Sequence, residues 1–108
     1  MFSYDILIKD VNEEWLPFFE KTKDELYLII NELNSSKTTI YPESSNIFRS
    51  LKYFSPKDIK LVILGQDPYI NIENNIPQAC GLAFSVPECH KKIPPKNIKS
   101  TILYFKLY

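Results

Sequence analysis

The chain has 108 residues, 44% of them hydrophobic, which suffices for one small domain with a modest core. No basic leader precedes an apolar run and no apolar stretch is long enough to cross a bilayer, so the chain reads as soluble and intracellular. The net charge of zero conceals an uneven spread, with acids dominating residues 1–34, while residues 89–108 carry Lys91, Lys92, Lys96, Lys99 and Lys106 and no acid. Such a basic segment is either a solvated face or a contact for phosphates.

From the start of the chain, Asp10 and Glu13 have capping-box spacing and predict a helical turn near Asn12. Pro17 fits the first position of a longer helix, along which Phe18, Phe19, Leu26, Ile29, Ile30 and Leu33 fall mainly on one stripe. Glu20, Lys21, Lys23, Asp24 and Glu25 form its wet face, and Asn34-Ser35-Ser36 ends it. Thr38 to Pro42 is extended up to the proline. Ser44 or Ser45 can cap a short helix carrying Ile47, Phe48 and Leu51, and Ser55-Pro56-Lys57-Asp58 is a turn. Leu61-Val62-Ile63-Leu64 is an unbroken apolar run, the pattern of a parallel-sheet strand buried on both faces. Asn71 to Asn75 is a polar loop. Gly81 to Val86 alternates, with Leu82, Phe84 and Val86 on one face, and predicts a second strand. Ile93-Pro94-Pro95 is stiff and extended, and Ile98 to Tyr108 is apolar on all sides. Gly65 and Gly81 are the only glycines, hence the only positions where positive φ costs little.

Ligands of parallel sheets gather at the carboxyl ends of the strands. There the Leu61–Leu64 run delivers Gly65, Gln66, Asp67, Pro68 and Tyr69. Pro68 biases Asp67 away from helix, so its carboxylate sits on a stiffened turn. A carboxylate so held can orient a water or stabilise an oxocarbenium-like sugar cation; equally, it can simply cap the turn. Gln66 can read the edge of a heterocycle or bond within the turn. Tyr69 can wall a pocket and Phe84 can stack on a base, although core packing is the commoner use of either ring. Pro94 and Pro95, flanked by Lys91, Lys92 and Lys96, can press on a phosphate backbone or form a plain loop. Cys80, Cys89 and His90 lack zinc-type spacing, so the cysteines read as reduced thiols.

Gly65-Gln66-Asp67-Pro68-Tyr69, then Gln78-Ala79-Cys80-Gly81-Leu82-Ala83-Phe84-Ser85-Val86, then Ile93-Pro94-Pro95, resembles family 1 uracil-DNA glycosylase. Trp15 with Pro17-Phe18-Phe19, Thr39-Ile40-Tyr41-Pro42 and Asn46-Ile47-Phe48 match as well, so the resemblance runs from about Trp15 to Pro95. It implies an α/β domain, the first half of a three-layer α/β/α fold with a central parallel sheet. It implies hydrolysis of the N-glycosidic bond of uracil in DNA, opening base excision repair, without metal or cofactor. The target nucleotide is flipped out of the stack and read in a pocket. By that resemblance Asp67 orients the attacking water and favours the cationic sugar. Gln66 lines the uracil pocket, Tyr69 rejects the thymine methyl and Phe84 stacks on the flipped ring. Pro94, Pro95 and Lys96 fall in the loop that pinches the DNA backbone. A steric wall suits this task, because contacts alone separate a methyl group only weakly. The implied compartment is that of the genome: the cytoplasm of a prokaryote, or the nucleus or a host cell otherwise.

The chain departs from the family pattern at several places. Ile70 and Cys80 stand where the family usually has His, Lys96 where it has Ser, and the Asn71–Pro77 loop is longer and more polar. The family's chain is longer; its second half supplies an Asn that binds uracil, a His loop that stabilises the leaving anion and a Leu that wedges into the duplex. No residue here matches those roles, His90 included. Residues 1–108 are therefore expected to be one incomplete domain. Two readings follow: a uracil-DNA glycosylase amino-terminal portion, or a non-catalytic remnant or split-gene product with at most weak DNA or partner binding. A partner for either would be the missing carboxy-terminal half.

Overall fold

The computed structural model describes residues 1–87. Its first part is helical. Helix α1 (Tyr4–Ile8) is capped by Ser3, whose hydroxyl accepts from the Ile6 amide, and buries Leu7. With five residues this helix is too short to carry a periodic stripe, so no apolar pattern predicts it. Asp10 adopts φ 62°, and the capping role goes to Asn12, whose side chain accepts from Glu14 N–H and starts the 3-10 turn Glu13–Trp15. Helix α2 (Leu16–Lys21) follows with Pro17 in its first turn, and helix α3 spans Lys23–Ser35. The single helix expected from Pro17 is thus two. Thr22 interrupts it: the Thr22 hydroxyl and amide both donate to the Phe18 carbonyl, ending α2.

The core is Leu7, Val11, Phe19, Leu26 and Ile30, with Trp15, Ile47, Phe48 and Leu51 packed against it. Phe19 carries the aromatic contacts, with ring centroids 5.4 Å from Phe18 and 5.2 Å from Phe48. Of the expected stripe, Phe19, Leu26 and Ile30 are buried, whereas Phe18 and Ile29 are exposed. The chain start is fastened to the end of α3 by a reciprocal pair: Phe2 N–H donates to Asn34 Oδ1 at 2.8 Å, and Asn34 Nδ2 donates to Phe2 O at 2.7 Å.

A chain of 3-10 turns comes next: Ser44–Asn46, Arg49–Lys52 and Pro56–Asp58. The short helix expected after Ser44 or Ser45 is two such turns, and neither serine caps it; Glu43 precedes the first without a side-chain cap. Trp15 and its neighbours hold these turns to the helices. Trp15 Nε1 donates to Phe54 O at 2.8 Å and Asn12 N–H donates to Leu51 O at 3.0 Å. Buried Ser55 donates to the Glu14 carboxylate, which also pairs with Lys57 at 3.0 Å.

The expected strands are absent among the described residues. Among the described residues Leu61 to Leu64 pairs with no other segment and stays outside the core, with Val62 72% and Leu64 90% exposed. A strand buried on both faces needs partners along its edges and cover on each face; the described residues supply neither. Gly81 to Val86 is a turn, because Ser85 N–H donates to Leu82 O at 3.2 Å and Phe84 adopts φ 58°. The described ladder is a two-stranded antiparallel hairpin, β1 (Ile72–Glu73) and β2 (Ile76–Pro77). It falls in the expected polar loop. Asn74 and Asn75, at φ 54° and 62°, make the tight turn that asparagine tolerates best after glycine. Over residues 1–87 the described elements are helices, 3-10 turns and one small antiparallel hairpin, and no parallel pairing forms among them. The apolar stretch Ile98–Tyr108 lies outside the described residues.

Leu7→Ala is expected to destabilise the protein by about 2–5 kcal/mol, because the site is 1% exposed and enclosed by packed side chains. Leu28→Ala, on the exposed face of α3, should stay within about 0.5 kcal/mol. The shift in urea midpoint for the two variants checks both.

Candidate active site

Two separated segments meet in an open cleft of about 400 Å³. One wall is Gly65 to Tyr69; the other is Ala79 to Ser85, and Pro42 and Ile47 close one side. Gln66, Asp67, Tyr69 and Phe84, singled out from sequence, all line it. The walls approach closely at Gly65, where an added Cβ would lie 3.7 Å from Ala83 Cβ, an ordinary contact. Pro94, Pro95 and Lys96 lie outside the described residues, as do Cys89 and His90.

The Asp67 wall is solvated. Gln66 and Asp67 are exposed and Tyr69 is half-buried. Among the described residues no hydrogen bond or ion pair engages the Asp67 carboxylate or the Gln66 amide. Neither side chain is therefore consumed in capping its own turn there. Asp67 keeps both oxygens available for a water or a cation, and Gln66 keeps a donor and an acceptor for a ligand edge.

The opposite wall is built from behind. Gln78 N–H donates to Asn71 O at 3.0 Å and fixes the hairpin to the segment that follows. Gln78, Ala79 and Cys80 are then buried in succession, Cys80 as a free thiol, and Gln78 Oε1 has no hydrogen-bond partner among the described residues. At Gly81 the chain turns with φ 83° against the Asn46–Arg49 turn. A Cβ on Gly81 would lie 1.9 Å from the Asn46 carbonyl oxygen and 2.9 Å from Arg49 Cβ, so only glycine fits. Beyond it, the Leu82–Ser85 turn brings Phe84 to the cleft with 37% of its surface exposed.

Sequence reading did not single out Arg49 or assign Pro42 and Ile47 to a site. Arg49 Nη1 donates to Cys80 O at 3.1 Å and Nε donates to the Tyr53 hydroxyl at 3.0 Å. Its one legible signal was rarity, since it is the chain's single arginine. The arrangement as a whole is an aromatic-walled, mainly apolar cleft with an unengaged carboxylate at its rim. It suits a flat ring held beside a centre that develops positive charge.

This cleft falls within a stretch shared with known proteins. A uracil-DNA glycosylase of Lachnoclostridium phytofermentans is 39% identical over 90 residues, which is 79% of this chain and 38% of the relative. One from Francisella philomiragia is 41% identical over 101 residues, 88% of this chain and 42% of the relative. One from Helicobacter pylori is 45% identical over 73 residues, 62% of this chain and 31% of the relative. No family model matches the chain, and no solved structure matches it. Over the shared stretch the chain is homologous to the uracil-DNA glycosylases. It spans about two-fifths of the length of the curated relatives it matches.

Gly81→Ala is expected to destabilise the fold by at least about 2 kcal/mol, combining left-handed backbone with overlap on a carbonyl. Gly65→Ala, with room for its methyl, should cost less than about 1 kcal/mol. Thermal melts of the two variants separate the cases.

Proposed function

We propose that this chain carries the uracil-binding and water-orienting part of a uracil-DNA glycosylase, an enzyme that hydrolyses the N-glycosidic bond of uracil in DNA. The observation that supports it most is the gathering of Gln66, Asp67, Tyr69 and Phe84 from two separated motifs around one cleft, in a stretch homologous to those enzymes. In this reading the flipped uracil enters between the two walls. Phe84 stacks on its face, Gln66 meets its polar edge and Tyr69 fills the space where thymine carries a methyl. As the bond to the sugar breaks, C1′ becomes cationic, and the Asp67 carboxylate stabilises that charge and aligns a water for attack. The water oxygen bonds to C1′, its proton passes to the Asp67 carboxylate, and the electron pair of the broken bond departs with uracil.

In the same reading Leu61 to Leu64 is a strand of a central parallel sheet in a three-layer α/β/α domain. Pro94, Pro95 and Lys96 meet the DNA backbone, and the remaining part of such a domain is a natural partner of this chain. Support comes from the apolar run itself: a largely exposed Leu-Val-Ile-Leu segment has the composition of a buried strand and finds no strand partner among the described residues. No helix among the described residues is long and apolar enough to cross a membrane.

The test is incubation of the full chain with a single-stranded uracil-containing oligonucleotide, followed by alkali to reveal abasic sites. Strand cleavage that falls about 10²–10⁴-fold in Asp67→Asn is the expected result. An intact oligonucleotide alongside a cooperatively melting protein assigns the chain to the non-catalytic reading instead.

A further inference from the structure

Arg49 lies outside the motifs that carry the resemblance and outside the cleft lining, yet it reaches the cleft from behind. It opens the 3-10 turn Arg49–Lys52 and is half-buried. Its guanidinium spans two partners, the Cys80 carbonyl at 3.1 Å and the Tyr53 hydroxyl at 3.0 Å. A planar fork bonded at two of its nitrogens has little freedom to swing. The Cys80 carbonyl belongs to the peptide that enters Gly81, and Gly81 is itself pressed against the Asn46–Arg49 turn. The next four residues form the turn that carries Phe84 into the cleft. Among the described residues no other side-chain hydrogen bond joins the 3-10 turns to this wall.

We propose that Arg49 is a positioning residue which sets the spacing between the Phe84 wall and the Asp67 wall. The inference rests on the glycosylase reading for its chemistry. A stacking face contacts the base equally before and during bond cleavage, so a loosened wall weakens ground state and transition state alike. Loss of Arg49 should then raise KM and leave kcat nearly unchanged. A merely structural loss acts otherwise, lowering the fraction of active molecules and hence kcat at constant KM.

The experiment compares the unmodified chain with Arg49→Ala and Arg49→Lys on the single-stranded uracil oligonucleotide. Arg49→Ala is expected to raise KM about tenfold with kcat within about twofold, the loss of one charge-assisted hydrogen bond. Arg49→Lys keeps a cation able to reach the Cys80 carbonyl but not Tyr53 as well, so KM should recover to within about threefold of the unmodified value. A fall in kcat at unchanged KM, or no recovery with lysine, overturns the proposal. A second measurement is independent of catalysis. The Ser85 amide, bonded to Leu82 O in the Phe84 turn, should exchange with solvent about tenfold faster in Arg49→Ala at a similar melting temperature. Unchanged Ser85 exchange overturns the proposal. If the unmodified chain releases no uracil, the glycosylase reading fails, and Ser85 exchange alone then decides the role of Arg49.

Discussion

The arrangement of the described chain turns on a seam where the backbone at Gly81 lies against the backbone at Asn46. On one side is the helical body, whose core of Leu7, Val11, Phe19, Leu26 and Ile30 holds the 3-10 turns through Trp15, Asn12 and Glu14. On the other is an arm with little core of its own: an exposed apolar run, a hairpin and a turn. The arm has a defined place because its backbone can approach the body without a side chain between them. Interiors tolerate almost no misfit at such contacts, so the seam fixes position as well as proximity.

This arrangement explains how a small body can present a site. Loops carry function when a rigid scaffold positions them, and here the scaffold is the aromatic cluster around Phe19 with the turns docked on it. Asp67 gains nothing from that scaffold directly and makes no hydrogen bond among the described residues. In the proposed glycosylase reading, what it offers is an unengaged carboxylate at the cleft rim that can face a developing cation.

Much of the helical part was legible, for local reasons. Pro17, the end of α3 at Ser35 and the wet face from Glu20 to Glu25 follow from caps, breakers and periodicity. The break at Thr22 escaped because the apolar stripe continues in phase across it, while the Thr22 side chain bonds back to Phe18. Leu61–Leu64 finds no sheet partner among the described residues, for a different reason. Its composition records a preference for burial, but burial needs partners that periodicity does not reveal. Gly81–Val86 alternates like a strand, yet its backbone turns at Phe84. The Asn74-Asn75 pair carries a local signal for a tight turn, within a segment whose polarity alone predicts only a loop. Within the cleft, the residues Gln66, Asp67, Tyr69 and Phe84 were visible as motif and chemistry. Pro42, Ile47 and Arg49 reach it only through contacts distant in sequence, which no local pattern encodes.

Phe84 carries one more implication. Its φ of 58° lies in the left-handed region, where a bulky side chain costs about 1–2 kcal/mol relative to glycine. The chain therefore sets an aromatic ring where backbone preference alone would choose the smallest residue. Strain of this kind persists only where the surroundings over-determine it. The backbone strain sits in the cleft wall itself, so stability and ring placement are opposed at this residue. Variants selected only for resistance to heat would be drawn toward glycine here, surrendering the ring as they gained the turn.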